Sequence, residues 1–337
     1  MKKANVIVGL MLLLVTSFVA CNEDDLPIKM YEEKVVVANR GGGSISFIDA
    51  TSNQVTNTLP IAGSEPMYVV YVPTKDKIYV GDRASNKVHI VNPETQVVES
   101  AITVGNGVFH MWADGQGKQL WVNNDVDNTI SVIDLNTNTV VKTINVGMKP
   151  HDVFLTNDAT KAYVSVFNSD ATMPDKIFMY ATSSYIKTAE ASVGKDPHLF
   201  HLSNSNKLFV PCQSGQVYSL NGNDLSTPSN NPFVGAHGIF SSPDQKNLFV
   251  TNITGGQIYS IDAATNTQNG TALASLSSIP HNIVVNESGN KMFVTHSGAT
   301  ATTVSTYTIN AATLTAGTTI TAGMNPFGLA YYKREIQ

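Results

Sequence analysis

Five of the chain's eight histidines, His110, His151, His198, His237 and His281, recur at one place in a repeating pattern, shortly after a Gly or Pro turn and just ahead of an apolar run. Met67 and Phe327 hold the corresponding place in two further repeats. Neutral imidazole is a ligand for copper, zinc, iron or nickel, and a thioether such as that of Met67 adds a soft donor for Cu(I). Residues so far apart in sequence share a site only if the chain is built as a ring, with equivalent positions at comparable radii. Three uses are then open to the imidazoles: hydrogen-bonding a neighbouring unit, holding a transition metal such as copper, or contacting an organic ligand.

The elements that would position them are legible as repeats. An aromatic or β-branched residue followed by Val appears at Val36-Val37, Tyr79-Val80, Trp121-Val122, Tyr163-Val164, Phe209-Val210, Phe249-Val250 and Phe293-Val294, at spacings of 43, 42, 42, 46, 40 and 44. A period of about 40 to 45 residues is that of a propeller blade. Each unit also carries an Asx or related turn after an alternating strand, as in Ile48-Asp49-Ala50-Thr51, Ile133-Asp134-Leu135-Asn136 and Ile261-Asp262-Ala263-Ala264. Such acids bond their own downstream backbone, so they are turn formers. The expected fold is all-β: a seven-bladed β-propeller of four-stranded antiparallel blades spanning residues 31–337. Lys34-Val35-Val36-Val37 opens the first unit already in a second-strand motif, and Asn325-Pro326-Phe327-Gly328-Leu329-Ala330 supplies a first-strand motif at the end. Pairing the two closes the ring and removes exposed sheet edges.

Composition agrees. Of 337 residues, 14% are charged, against about 25% in average soluble domains, which suits strands and turns better than long helices. The formal net charge is -5 with no dense Lys/Arg run, so no nucleic-acid partner is expected. One loop of each blade should share a face with the histidines, and these loops hold Asn39, Arg40, Asp82, Arg83, Asn124, Asp125, Asn252 and His296. Arginine there suits a carboxylate or phosphate, while Asn and Asp suit sugar hydroxyls or Ca²⁺. Tyr68, Phe109 and Trp112 lie near the same rim and are expected to be buried between blades. His89 and His201 receive no role. No nucleophile elbow, phosphate-binding loop, Cys-x-x-Cys pair or His-Glu-x-x-His motif is present, so no catalytic residue is assigned; an enzyme would have to use histidine as general acid or base.

The first 20 residues have a basic start and an apolar core from Val6 to Val15, the form of a secretory signal. Phe18-Val19-Ala20-Cys21 resembles a bacterial lipoprotein signal, although the usual Leu is replaced by Phe18. The resemblance implies that Cys21 is lipidated, with residues 21–30 as a tether and the outer membrane as a partner through the lipid. The acidic run Asn22-Glu23-Asp24-Asp25 is similar to the surface-export signal of Bacteroidetes lipoproteins, which implies display on the cell surface.

Tyr79-Val80-Gly81-Asp82, Trp121-Val122-Asn123-Asn124, Phe249-Val250-Thr251-Asn252 and Ile130-Ser131-Val132-Ile133-Asp134 resemble the YVTN-repeat propeller family over about residues 31–337. That family includes surface proteins, binding proteins and enzyme domains, some related propellers being lyases or lactonases. A histidine-lined channel is also similar to the catalytic domain of nitrous oxide reductase, which holds copper on histidines; here only five repeats supply His, so that reductase activity is not expected. In anchor and fold the chain resembles surface propellers of gut Bacteroidetes that capture cobalamin and dock on an outer-membrane transporter. The expected function is that of a cell-surface lipoprotein whose propeller face binds a small molecule, metal, glycan or partner without catalysis. The alternatives are a copper or other transition-metal protein and a histidine-dependent lyase or lactonase.

Overall fold

The computed structural model describes residues 29–336. The proposed signal, Cys21 and most of the tether lie outside the described residues. Seven antiparallel sheets follow one another along the chain, six of four strands and one whose fourth position is split between two short strands, Thr267–Gln268 and Leu273–Ala274. In each, the first strand is innermost and the fourth is at the rim. The blade Pro66–Val72, Lys77–Asp82, Lys87–Val91, Val98–Thr103 is typical.

Burial follows this order. The second strand carries the repeated aromatic, and Tyr79, Trp121, Tyr163, Phe209, Phe249 and Phe293 are all at most 1% exposed, wedged between neighbouring sheets. Outer strands alternate instead, as in Gln54–Pro60, where only Val55 and Leu59 are even half-buried. This is the period-2 pattern of a strand with one wet face. The turns between third and fourth strands behave as the sequence indicates: Asp49 Oδ1 accepts from the backbone of Thr51 at 3.1 Å and Ser52 at 2.7 Å, and Asp262 does the same for Ala264 and Thr265. Asn53, Asn138 and Asn266, four residues after the turn acid, have φ near +55 to +60°. Asn tolerates that left-handed conformation better than most residues.

The ring closes as expected. The last strand, Pro326–Ile336, pairs antiparallel with Met30–Asn39, with Val36 opposite Ala330, and serves as the innermost strand of the first blade. Arg334 fastens the seam: its guanidinium, 8% exposed, contacts Glu32 at 3.0 Å, Asp76 at 3.1 Å and Glu94 at 3.3 Å, joining this blade to the next.

Candidate functional site: the imidazole ring and the channel

The innermost strands do not run straight. In six blades the pairing to the second strand slips by one residue near its start: Pro66↔Asp82 is followed by Val69↔Val80, and Pro150↔Val166 by Val153↔Val164. Two residues on the inner strand then oppose one on its partner, which is a β-bulge. The bulged pairs are Met67-Tyr68, Phe109-His110, His151-Asp152, His237-Gly238, His281-Asn282 and Phe327-Gly328. The fifth blade lacks the extra residue, because Pro197↔Cys212 and Phe200↔Phe209 are in register, so His198 alone fills both places.

This geometry sorts the side chains into two tiers. The first tier is an aromatic ring around the axis, with successive centroids at 4.8 Å for Phe109–His151, 4.8 Å for His151–His198, 3.8 Å for His198–His237, 4.6 Å for His237–His281 and 4.2 Å for His281–Phe327. Phe109 and Phe327, 6.1 Å apart, meet across the seventh position. That position is Met67, which is fully buried in the same apolar cluster as Tyr68, Val108 and Phe327. The structure therefore corrects the expected arc of five histidines to four. His110 stands one residue further along its strand than the others, in the second tier with Tyr68, Asp152 and Asn282, because the residue matching Pro150 is Val108. Second-tier Gly238 lets the inner strands approach closely: a Cβ there would lie 2.0 Å from the carbonyl oxygen of His281.

The four ring histidines are 4 to 9% exposed. Burial holds His151 below the ordinary imidazole range, pushes His198 and His237 far below it, and brings His281 to about 3; neighbouring imidazoles lower each further. All four are neutral at pH 7, with lone pairs intact. Several lone pairs have no partner: His151 Nδ1, His198 Nε2 and His237 Nδ1 are buried without a hydrogen bond. His281 Nδ1 is engaged by Asn282 Nδ2 at 2.8 Å.

Two carboxylates absent from the expected set approach the ring. Asp196, in the left-handed turn before Pro197 (φ 55°), places Oδ1 3.6 Å from His151 Nε2 and 3.8 Å from His198 Nε2. That oxygen too is buried and unpartnered, and burial raises the pKa of Asp196. The three ligand atoms of His151, Asp196 and His198 lie within 4.8 Å of one another. Donors 2.0 to 2.1 Å from a tetrahedral zinc ion are about 3.3 Å apart, so a small inward movement would bring these three onto one ion and leave its fourth position open. Asp152, on the second tier, lies 2.5 Å from His110 Nδ1 and accepts from Leu199 N at 2.8 Å.

Beneath the ring a cavity of about 340 Å³ runs down the channel. His110, Asp152 and His198 are at its upper end, Val70, Trp112, Phe240 and Val284 line its walls, and Thr74, Gly115 and Asn157 stand where it reaches the opposite face. Tyr68 and Trp112, expected between blades, line this channel instead, since alternate residues of the innermost strands face the axis.

The expected loop ligands are used differently. Asn39, Asp82, Asn124, Asn252 and His296 end their second strands, are 0 to 2% exposed, and clamp the adjoining third strand or the next turn. Asp82 Oδ1 accepts from Glu65 N at 2.8 Å; His296 Nε2 meets Ser305 Oγ at 2.7 Å; Asn39 Nδ2 donates to Ser46 Oγ at 2.9 Å. Arg40 pairs with Glu65 at 2.7 Å, and Arg83 with Asp125 at 2.9 Å. Their hydrogen-bonding capacity is largely consumed inside the fold. His89 bonds to Asp82 and His201 to Asn206.

No family model matches the chain. Protein NirF of Pseudomonas aeruginosa is 30% identical over 84 residues, covering 24% of this chain; the match spans about a fifth (21%) of that curated relative's length. Among solved structures, Kuenenia stuttgartiensis hydrazine synthase superposes with a TM-score of 0.71 at 13% identity over 78% of this chain and 89% of that one. A nidogen/laminin complex superposes with a TM-score of 0.56 at 13% identity, over 72% and 93%. At such identities the likeness is one of fold: the chain is similar to these proteins as a β-propeller.

Proposed function

We propose that this protein is a lipid-anchored, surface-displayed binding propeller, and that what it captures is a divalent transition metal ion held by His151, Asp196 and His198, with His237 beside them. The observation that carries this reading is the set of buried, unpartnered donor atoms at the axis: His198 Nε2, Asp196 Oδ1 and His237 Nδ1. A buried polar atom without a partner costs about 1 to 3 kcal/mol. An ion would satisfy several at once. The donor set, neutral imidazole with carboxylate, suits Zn²⁺, Cu²⁺, Ni²⁺ or Co²⁺ better than Mg²⁺ or Ca²⁺. The lipoprotein-like signal ending at Cys21 and the acidic residues after it support attachment to the outer membrane, where such a site would sample external metal; docking on an outer-membrane transporter belongs to the same proposal.

The test is calorimetric titration of EDTA-treated protein with Zn²⁺ and Cu²⁺ at pH 7.5. One ion per chain is expected, with binding reduced at least tenfold in His198→Ala and in Asp196→Asn. Absence of binding, or binding indifferent to both substitutions, refutes the reading.

A further inference from the structure

The channel below the ring carries a feature that the metal reading does not use. His110 is held on one face by Tyr68, centroids 4.3 Å apart, and lies parallel to Trp112 at 6.2 Å, with interplanar angle 14°. Trp112 is itself stacked on Phe154 at 4.5 Å. Asp152 fixes the imidazole in plane through the 2.5 Å contact to Nδ1, and the carboxylate also accepts from the backbone of Val153 at 3.1 Å and Leu199 at 2.8 Å. Val153 N–H also lies 3.2 Å from His110 Nδ1, so Nδ1 is engaged by the carboxylate and the backbone amide together, and Nε2 is the ring nitrogen left for a ligand. His110 lines the cavity, whose walls are otherwise mostly apolar or aromatic. A rigidly oriented imidazole at the closed end of an apolar slot is the arrangement of a small-molecule site, and the volume of about 340 Å³ lies at the low end of such pockets.

We propose that this channel is a second binding site, adjoining the metal site at His198, for a small flat aromatic molecule whose phenolic hydroxyl donates a hydrogen bond to His110 Nε2. The aromatic walls of Trp112, Phe240 and Tyr331 favour a planar ring system over a sugar or an aliphatic chain. The negative charge of Asp152 beside His110 disfavours a ligand carboxylate. A phenol satisfies the geometry whether its proton stays on oxygen or moves to Nε2, because the O···N hydrogen bond persists in both cases. The ligand enters from the face bearing Thr74, Gly115 and Asn157, since the aromatic ring closes the other end.

The probes are 2-naphthol and its methyl ether, 2-methoxynaphthalene, which has nearly the same shape and no donor. Binding is measured by equilibrium dialysis and by quenching of tryptophan emission in EDTA-treated protein. Of the two tryptophans, Trp112 lines the channel and Trp121 is sealed between blades, so quenching reports the site. The expected result is 2-naphthol binding at micromolar concentration, about tenfold tighter than the ether, the discrimination of one buried hydrogen bond. In His110→Phe the two probes should bind alike. No binding of 2-naphthol, equal affinity of both probes for the wild type, or discrimination that survives His110→Phe overturns the proposal. Should His110→Phe fail to fold, the two probes on wild-type protein decide it alone. Because EDTA is present throughout, failure of the metal reading leaves this outcome unaffected, and the converse holds.

Discussion

Acidification should destabilise this protein well above the pH at which carboxylates titrate, and the ring histidines set how much. His281 titrates near 3 when folded and near the ordinary 6.5 when unfolded, and His151, His198 and His237 are lowered in the same direction by burial. Above pH 6.5 both states are neutral and these groups contribute nothing to the pH dependence. Below it the unfolded chain takes up protons that the folded ring refuses, so stability falls by about 1.4 kcal/mol per pH unit for each such histidine. For His281 that is about 2 kcal/mol between pH 6.5 and 5.0, and the other three ring histidines add to it in the same direction. His201 and His296, also lowered by burial, act in the same sense, whereas the raised Asp196 opposes it near the bottom of the range. The assay is urea unfolding in EDTA at pH 7.5, 6.5, 5.5 and 5.0. His281→Phe, which extends the ring by a side chain already present at Phe327, should reduce the slope below pH 6.5 by about one proton's worth, 1.4 kcal/mol per unit. A flat stability between pH 7 and 5 would mean that the imidazoles titrate as exposed groups, and the buried neutral ring would be refuted.

Three further outcomes are expected. Trp121→Ala should destabilise by about 3 to 5 kcal/mol, because it empties a fully buried position between blades, and denaturant unfolding measures this directly. Arg334→Ala removes the guanidinium that ties Glu32, already paired with Lys34, to Asp76 and Glu94 of the next blade and should cost about 1 to 3 kcal/mol, with unfolding still cooperative; a change below a few tenths would show that the clasp is idle. Cys21→Ser should abolish incorporation of labelled fatty acid and release the protein from the membrane fraction, whereas retention on membranes would refute the lipid anchor.

The architecture was legible because each blade repeats a physical solution: a large aromatic at the one position wedged between sheets, and an Asx turn at the rim. The closing strand was legible for the same reason, since Asn325-Pro326-Phe327 copies the proline start shared by four other inner strands, at Pro66, Pro150, Pro197 and Pro280. The tier of each inner residue was harder to read. Aligning histidine to histidine puts His110 in the ring, but strand pairing puts Phe109 there, and the absence of proline at Val108 is no guide, since Ala236 lacks it too and His237 is in the ring. A bulge shifts facing by one residue without changing composition, so it is nearly silent in a single sequence. The missing bulge at His198, which lets that residue serve both tiers, is silent too. Asp196 and Asp152 escaped notice because one precedes Pro197 in a turn and the other follows His151 directly, places where an acid is ordinarily a solvated or turn residue. Conversely, Asp82, Asn124 and His296 look like surface ligands in sequence and turn out to be interior clamps, because the end of a second strand is covered by the turn that leads into its own blade's innermost strand.

The most direct test of the metal site is anomalous diffraction at the zinc edge from crystals grown with one equivalent of Zn²⁺. A single peak on the propeller axis, within about 2.0 to 2.2 Å of His151, Asp196 and His198 donor atoms, is the predicted result. A structure with no peak there, or with zinc only on exposed side chains, would contradict the account.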